Sequence, residues 1–264
     1  MEAYERLAMA RAKGRPTGLC YIRNIFTDFM EMHGDRRFGD DKAIVAGIAR
    51  LNGMPVTVIA HEKGDTTKEK VRRNFGSAHP EGYRKALRQM KLAEKFSRPV
   101  ICFVDTAGAF CGISAEERGE GQAIAENIME MMTLKTPIIA VFIGEGGSGG
   151  ALGLAVADEV WMLENAYYSV ISPEGCASIL WKDSSKVKEA AKCLHLTADD
   201  LLQLHAVERV IPETGDFNEV YSELRADLFQ FLQKEKQEDV QTLLQKRYDR
   251  FRRLGTQSET KSEV

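Results

Sequence analysis

Two strand–loop–helix units follow each other in the middle of the chain, and they constrain its fold more than any other feature. Residues 99–105 (PVICFVD) and 137–143 (PIIAVFI) are short apolar runs, each opened by a proline and followed by a glycine-containing loop. Runs of this length, rich in β-branched residues, are typical of strands buried on both faces of a parallel sheet. Helical patterns follow both loops, so the repetition predicts an α/β fold with a largely parallel sheet.

The flanking segments predict further elements of the same fold. Apolar residues at helical spacing from Ile22 to Met30 predict a helix, and residues 43–49 and 55–61 predict a hairpin around the turn Asn52-Gly53. A further helix is predicted with Tyr83, Leu87, Met90 and Phe96 on one face, and a capping box at Ser114 and Glu117 predicts the start of another. Short strands are predicted at 160–163, 168–171 and 207–211. Helices are predicted to start at Ser172 and Thr197, and one long charged helix is predicted over 219–254. We therefore expect a basic, loosely ordered lead-in at 1–20, a single domain at 21–255 that includes the long C-terminal helix, and a polar tail at 256–264.

The composition excludes several classes of protein. The 264 residues include 36 Lys and Arg against 39 Asp and Glu, a net charge of −3, whereas dedicated nucleic-acid binders usually carry a basic excess. No run approaches the roughly 18 apolar residues of a membrane span, and the first residues lack the pattern of a secretory signal. The five cysteines are scattered without metal-ligand spacing. We therefore expect a cytoplasmic protein that binds no metal, membrane or nucleic acid.

The glycine loop GEGGSGG at 144–150 fits two motifs that depend on side chains. It matches G-x-G-x-x-G, the fingerprint of dinucleotide-binding units, and Glu164 follows as a candidate for the acidic residue of that fingerprint. In such units, however, the acidic residue lies further along the chain, and the unit normally stands at the start of its domain. It also contains G-x-S-x-G around Ser148, the nucleophile elbow of serine hydrolases. The partners available in the chain order of that triad are Asp158, Asp183 or Asp199 with His195 or His205.

A third interpretation needs only the backbone of the loop. Glycines between a strand and a helix leave several N–H groups unpaired at the positive end of the helix dipole, where they bind a phosphate or stabilise an oxyanion. The loop after the first strand, DTAGAF at 105–110, has the same character. The plainer alternative is that these glycines only permit tight turns and close packing.

Longer motifs resemble one family. IGEGGSGGAL at 143–152, YSVISPEGCASILWK at 168–182 and GDTTKEKVRRNFGSAHPEGYRKALR at 64–88 strongly resemble the alpha subunits of bacterial acetyl-coenzyme A carboxylase carboxyltransferase. GDRRFGDD at 34–41 and AEERGEGQAIA at 115–125 are similar to that family in the same order. The family's DTPGAYPG motif is DTAGAFCG here, with Ala107 and Cys111 at two proline positions.

The resemblance implies a crotonase-like fold, a spiral of ββα units with flanking helices. It implies an enzyme that transfers the carboxyl group from carboxybiotin, carried on biotin carboxyl carrier protein, to acetyl-CoA, giving malonyl-CoA for fatty-acid synthesis. No cofactor would be covalently bound to this chain. The implied partner is the carboxyltransferase beta subunit, which would carry the family's zinc and form an α₂β₂ heterotetramer with this chain. Without it the chain would be inactive, and ATP binding belongs to the full complex with biotin carboxylase.

The same resemblance assigns roles to residues of the two glycine loops. Backbone N–H groups of Gly149, Gly150 and Ala151 are expected to stabilise an oxyanion, with Gly108, Ala109, Gly146 and Gly147 in substrate binding. We name no general base, because the released biotin can take the proton in this family. His61, His79 and Glu145 are interpreted as structural.

The basic stretch at 63–88 has two interpretations. It is either a solvated face or a flank of the site, where Lys68, Arg72 and Arg73 meet the carboxylate of carboxybiotin or the phosphates of coenzyme A. The alternatives that stay open are a serine hydrolase that uses Ser148, a nicotinamide-dependent oxidoreductase and a non-catalytic scaffold.

Overall fold

The two apolar runs become neighbouring strands of one mixed sheet in the computed structural model, which describes residues 1–255. Its strands are β1 (Thr27–Glu31), β2 (Ile44–Leu51), β3 (Met54–His61), β4 (Val100–Thr106), β5 (Ile138–Gly147), β6 (Glu159–Leu163), β7 (Tyr167–Ser169) and β8 (Arg209–Ile211). The predicted polar tail, 256–264, lies outside the described residues.

The sheet is antiparallel at one edge and parallel elsewhere. Its order is β1-β2-β3-β4-β5-β6-β8, and β7 pairs with the last residues of β5. The hairpin β2–β3 turns at Asn52 (φ 47°) and Gly53 (φ 84°), a pair of left-handed residues that suits a type I′ turn. From β3 onward the paired strands run parallel, which confirms the predicted α/β class with a largely parallel sheet.

Helices cover the sheet on both faces. They are α1 (Ala3–Ala10), α2 (Gly18–Ile25), α3 (Thr67–Arg72), α4 (Pro80–Lys95), α5 (Ile113–Glu117), α6 (Glu120–Thr133), α7 (Ser148–Leu152), α8 (Pro173–Leu180), α9 (Val187–Cys193), α10 (Ala198–Gln203), α11 (Phe217–Glu235) and α12 (Val240–Arg253). Every residue of β4 and β5 is buried, as expected for central strands that helices cover on both sides. Because β4 and β5 run parallel, the loops after them meet at the same edge.

The N-terminal segment was expected to be a loosely ordered lead-in, and that prediction is wrong. Residues 1–20 contain α1 and the start of α2, and their arginines enter the domain. Arg6 binds Glu164 at 2.8 Å, and Arg15 binds Glu213 at 2.7 Å. The charges of Arg6 and Arg15, which made this segment look solvated, are thus paired with carboxylates more than 150 residues away.

Three other predictions fail because tertiary contacts override the local pattern. The helix predicted from Ile22 to Met30 ends at Ile25, and Phe29 and Met30 lie in β1, paired with β2. The capping box at Ser114 does not start a long helix: Ser114 lies inside the short α5, and α6 begins after Gly119, whose φ is +81°. Phe96 was expected on the buried face of α4, but it follows the end of that helix and is exposed.

The long C-terminal helix predicted over 219–254 is two helices. α11 ends at Glu235, and α12 begins after Asp239, whose carboxylate accepts hydrogen bonds from the N–H groups of Gln241 and Thr242. The predicted helix starts are confirmed, since the Ser172 and Thr197 hydroxyls accept from Gly175 N–H and Asp200 N–H. Within residues 1–255, each helix is too short or too polar to traverse a lipid bilayer.

Candidate active site

The two glycine loops touch backbone to backbone at the carboxyl ends of β4 and β5. A Cβ atom on Gly147 would lie 2.0 Å from the carbonyl oxygen of Ala107, and one on Gly150 would lie 2.4 Å from the amide nitrogen of Ala109. No side chain fits in either place, so these glycines allow the loops to approach each other. The structure thus brings Gly108 and Ala109 next to Gly147 and Gly150, which sequence reasoning had assigned to one site.

The second loop differs from the expected open glycine loop in its first half. β5 continues to Gly147, and residues 145–147 pair with β7. A Cβ on Gly144 would lie 2.4 Å from Oδ1 of Asp105, and one on Gly146 would lie 2.4 Å from the Phe142 ring. Packing alone therefore accounts for the glycines at 144 and 146, and Gly146 is buried.

Helix α7 starts directly after this strand and presents amide groups at the loop junction. Its first turn holds Ser148, Gly149 and Gly150, whose N–H groups have no partner within the helix. Gly149 is partly exposed and has open space around it, with Cγ2 of Ile124 nearest at 3.8 Å from a Cβ built on it. Ala151 is buried, and it is the first residue whose N–H can bond back into the helix.

Two buried side chains donate hydrogen bonds to carbonyl oxygens in α7 and directly after it. The Tyr83 hydroxyl donates to the carbonyl oxygen of Gly150 at 3.1 Å, and Nδ2 of Asn127 donates to that of Gly153 at 3.1 Å. Both side chains are fully buried. These hydrogen bonds orient the peptide groups of α7 without the rearrangement that a mobile loop would need.

A buried ion-pair network lies beside the loops. Lys63 Nζ contacts Asp105 Oδ1 at 2.7 Å and Glu145 Oε1 at 2.6 Å. The other carboxylate oxygen of Glu145 accepts from Arg11 Nε at 2.7 Å and from the Tyr167 hydroxyl at 2.7 Å. The network ties the N-terminal segment, the end of β3 and the ends of β4 and β5 into one unit.

These contacts keep Glu145 ionised. Burial alone would raise the pKa of its carboxyl group, but Lys63, Tyr167 and Arg11 lower that pKa to about 2. The same carboxylate and Asp105 raise the pKa of Lys63 against the effect of its burial. A charged and fully partnered Glu145 has no proton to exchange near neutral pH, which agrees with its interpretation as structural.

The two histidines considered in the sequence analysis also have structural positions: His79 contacts neighbouring side chains, and His61 is buried in the domain. His79 stacks on Phe110 with ring centroids 4.0 Å apart, and its Nδ1 lies 3.0 Å from Oδ2 of Asp41. His61 is fully buried, and burial followed by the Lys63 charge lowers its pKa to about 3. His79 therefore supports the loop after β4, and His61 stays neutral inside the domain.

Two cavities open beside the loops, separated by helix α3 and Phe75. One of about 470 Å³ is lined by residues that include Arg11, Lys63, Lys70, Asp105 and Glu145. The other, of about 400 Å³, is lined by Val71, Asn74, Phe75, Ser77 and residues 109–111. The open space at this edge of the sheet lies against the loop after β4.

The basic stretch does not act as one surface. Lys85 is buried on Asp40, Arg73 binds Glu69 and the carbonyl oxygen of Lys42, and Arg72 also reaches Glu69. Lys68 and Arg72 are exposed on α3 but do not line either cavity. Lys63 and Lys70 line the larger cavity instead.

Sequence reasoning missed the network of Arg11, Lys63 and Glu145. One signal was available: Asp105 and Glu145 both follow apolar runs, so parallel strands bring two acids to one edge. Buried carboxylates at such a short separation need cations between them. Nothing local marks which cations supply them, since Arg11 lies 134 residues from Glu145.

The serine hydrolase and dinucleotide alternatives find no support in this geometry. Asp158 binds Arg247 at 2.8 Å and pairs with Ile138 at the start of β5, whereas Ser148 follows the end of that strand, roughly 30 Å away. Within residues 1–255 no histidine bonds to Ser148, and His195 and His205 belong to the α9–α10 region. A pyrophosphate would need the glycines at 144 and 146 to be open, but packed groups cover both.

No cluster of three or more metal-ligating side chains occurs within the described part of the chain. The groups that converge at the loops are backbone amides, the Ser148 hydroxyl, and charged side chains that are already paired with one another. Such an arrangement can stabilise negative charge that develops on a bound oxygen, and it needs no protein nucleophile.

Several solved structures that share this fold are carboxyltransferases, and one is a malonate decarboxylase. The chain superposes on the transcarboxylase 12S core with a TM-score of 0.66 at 19% identity, covering 83% of this chain and 44% of that one. It superposes on the beta subunit of Pseudomonas aeruginosa geranyl-CoA carboxylase with a TM-score of 0.67 at 16% identity, covering 90% and 46%. A Pseudomonas malonate decarboxylase hetero-tetramer gives 0.64 at 19% identity, covering 83% and 92%. The chain thus has the crotonase-like fold of acyl-CoA carboxyltransferases, and it spans less than half the length of the first two.

Sequence relatives narrow this class to one family. A family model described as acetyl co-enzyme A carboxylase carboxyltransferase-like matches residues 1–255, and the chain belongs to that family. The acetyl-coenzyme A carboxylase carboxyl transferase subunit alpha of Ruminiclostridium cellulolyticum is 65% identical over 256 residues, which cover 97% of this chain and 98% of the relative. The corresponding subunit of Clostridium acetobutylicum is 57% identical over 257 residues, covering 96% and 94%. The match includes the N-terminal segment that we had placed outside the domain.

Proposed function

We propose that this chain is the alpha half of a biotin-dependent carboxyltransferase that moves a carboxyl group from carboxybiotin to acetyl-CoA, giving malonyl-CoA for fatty-acid synthesis. The names of its closely similar relatives support the reaction. The observation that supports the site is the backbone contact between the loops after β4 and β5, with α7 starting at that contact.

The proposed chemistry requires stabilisation of charge rather than a protein nucleophile. Carboxybiotin supplies the carboxyl group, and its ureido nitrogen takes the proton that leaves the acetyl carbon. Negative charge then develops on an oxygen of the ureido or thioester group. The N–H groups of Gly149 and Gly150, with Ala151 behind them, are the donors that we assign to one such oxyanion.

The neighbouring residues are assigned to substrate binding. Gly108, Ala109 and Gly147 form the backbone wall of the site, and Gly146 maintains the strand beneath it. Lys68, Arg72 and Arg73 lie on or just after α3, which stands between the two cavities. We assign this helix to the approach path of the anionic substrates.

The partners follow from the same proposal. An alpha subunit implies a beta subunit, and we propose an α₂β₂ heterotetramer in which the beta chain carries the zinc ribbon and supplies the second oxyanion site. Biotin carboxyl carrier protein would deliver the substrate, and biotin carboxylase would use ATP in the full complex. The free thiols of the five cysteines support a reducing, cytoplasmic setting.

A matched pair of variants at Gly149 tests the oxyanion assignment. Gly149→Pro removes the N–H group at a helix position where proline is tolerated, and we expect kcat to fall by about 10²- to 10³-fold. Gly149→Ala keeps the N–H group in open space and should stay within a few-fold of the wild type. Both are measured as malonyl-CoA formation by the reconstituted complex, with circular dichroism to check folding. A folded proline variant with wild-type kcat would contradict the assignment.

A second comparison tests the role of α3. The double variant Lys68→Ala/Arg72→Ala should raise KM for carboxybiotin or acetyl-CoA with little change in kcat, because the lost contacts would act equally before and during the reaction. Lys234→Ala, on an exposed side chain of α11, is the control. Unchanged KM values for both substrates would mean that these residues form only a solvated face.

A further inference from the structure

A basic cavity lies along α4, further from the N-terminus of that helix than the residues that contact the glycine loops. It has a volume of about 570 Å³ and is formed by the loop before β2, one side of α4 and part of α6. Cationic side chains outnumber carboxylates in its lining by six to three. The proposed carboxyl transfer uses none of these residues.

Each carboxylate of this cavity already has a cationic partner. Asp35 binds Arg84 at 2.8 Å, Glu126 binds Arg37 at 3.5 Å, and Glu130 binds Lys91. Three cations of the cavity therefore have no carboxylate partner within the described part of the chain: Arg36, Arg88 and Lys95.

Two of these cations converge on one backbone oxygen. Arg36 donates from Nη1 to the carbonyl oxygen of His33 at 2.9 Å, and Arg88 donates from Nη2 to the same oxygen at 3.1 Å. Arg88 also donates from Nε to the carbonyl oxygen of Gly34 at 3.0 Å. Burial, and then the Arg36 charge, lower the pKa of Arg88. The protein thus holds two guanidinium groups on one backbone oxygen, and an anion bound there would offset their mutual repulsion.

The loop that carries Arg36 is held in one conformation. Oδ1 of Asp35 accepts hydrogen bonds from the N–H groups of Arg37, Phe38 and Gly39 at 2.8 to 2.9 Å. Arg36 itself has a φ of +64°, a conformation that costs energy for a residue other than glycine. The ordered loop and the hydrogen bond to His33 therefore position the Arg36 side chain.

We propose that Arg36, Arg88 and Lys95 form a binding site for a small phosphorylated molecule. Paired guanidinium groups suit the oxygens of a phosphate or diphosphate, and Leu87 and Leu92 offer an apolar wall to the organic part of the ligand. A cavity of this size suits a small molecule. A long nucleic acid would meet the carboxylates at its margin and is disfavoured.

This site is separate from the glycine loops. The N-terminal end of α4 lies against the loop after β4, where Phe110 N–H donates to the carbonyl oxygen of Ala78. Arg88 lies eight residues further along the helix than Pro80, about 12 Å away at the rise of an α-helix. A ligand in this cavity would contact α4 and α6, which carry the Tyr83 and Asn127 supports of α7, and so could modulate the site without entering it.

Calorimetric titration with pyrophosphate tests the proposal, using the full chain alone and in complex with its partner subunit. We expect binding to the wild type at low ionic strength, weakened as salt is raised. The double variant Arg36→Gln/Arg88→Gln should weaken Kd by about tenfold or more, and Arg36→Gln alone should lose part of that affinity. Arg252→Gln, on the exposed face of α12, is the matched control and should bind as the wild type does.

Three outcomes would overturn the proposal. The first is pyrophosphate binding to the double variant as tightly as to the wild type, and the second is binding of a structured RNA without binding of pyrophosphate. A parallel loss of acetyl-CoA affinity in the double variant would instead place the cavity on the path of the substrate's phosphates. Because Arg36 is exposed, its single variant remains informative if Arg88→Gln impairs folding, which thermal unfolding would reveal. The readout is binding, so it is independent of whether the carboxyl transfer proposal holds.

Discussion

Glu145 and Glu120 are both buried, yet near neutral pH Glu145 is ionised whereas Glu120 is largely protonated. Glu145 lies among Lys63, Arg11 and Tyr167, and its pKa is lowered to about 2. Glu120 is 4% exposed, and within residues 1–255 neither of its carboxylate oxygens has a hydrogen-bond partner. Burial, and then the charges of Asp41 and Glu81, raise its pKa to about 8. The same residue type is thus tuned by what surrounds it.

The raised pKa of Glu120 predicts a loss of stability as pH increases. The folded chain keeps a proton that the unfolded chain releases between about pH 4.5 and 8, so the free energy of unfolding falls through this range. Glu120→Gln should remove this dependence and stabilise the protein at pH 8.5 by on the order of a few kcal/mol. Urea unfolding of both proteins at pH 5.5, 7 and 8.5 measures the effect. Parallel pH profiles for the two proteins would show that Glu120 does not carry the shift.

At the scale of elements, α12 is held by two buried arginines in addition to the buried Leu243 and the partly buried Phe251. Arg247 has no exposed surface, binds Asp158 at 2.8 Å and donates to the carbonyl oxygens of Met131 and Leu134 at the end of α6. Arg250 binds Glu208 at 2.8 Å in the same way. The turn before Asp239 is what brings these arginines back to the domain, so the break in the predicted long helix has a structural consequence.

Removing Arg247 should release α12. Arg247→Met leaves Asp158 buried without its partner, and we expect the protein to lose about 3–5 kcal/mol of stability. Arg252→Met on the exposed face of the same helix should change stability by less than about 0.5 kcal/mol. Thermal or urea unfolding compares the two variants. Equal stability would mean that Arg247 contributes no more than a surface arginine.

At the scale of the whole molecule, apolar side chains are left exposed where the glycine loops open. Val71 and Phe75 line the cavity beside Phe110 with 61% and 56% of their surfaces exposed, and Ile113 nearby is 81% exposed. Clustered exposed apolar groups at a site usually mark a surface that another protein covers. This agrees with the proposal that the site is completed by a partner subunit.

We predict that the chain alone forms no malonyl-CoA from carboxybiotin and acetyl-CoA, and that adding the beta subunit restores the activity. The physical reason is that our assignment gives this chain the amide donors for one oxyanion, at the start of α7, whereas the reaction develops negative charge on two oxygens. Rates are measured with each subunit alone and with both together, after gel filtration confirms the complex. Turnover by the purified chain without a partner would refute this prediction.

Local sequence determined those elements that depend only on near neighbours. The buried strands β4 and β5, the Asn52-Gly53 turn, and the helix starts at Ser172 and Thr197 agree with the structure because turn chemistry, capping and apolar runs act over a few residues. The family resemblance had assigned both glycine loops to one site, and they meet because β4 and β5 are neighbouring parallel strands. The family was evident from motifs that are long enough to be specific.

Only the tertiary structure decided how the charged residues are used. It placed Arg11 and Arg15 in the domain, divided the basic stretch between buried pairs and solvent, and ended α11 where the sequence pattern continued. It also made the glycines at 144 and 146 packing residues and left α7 to present the amides. The reason is that an ion pair or a close backbone approach depends on partners far away in sequence, and local periodicity carries no information about which distant residue will meet it.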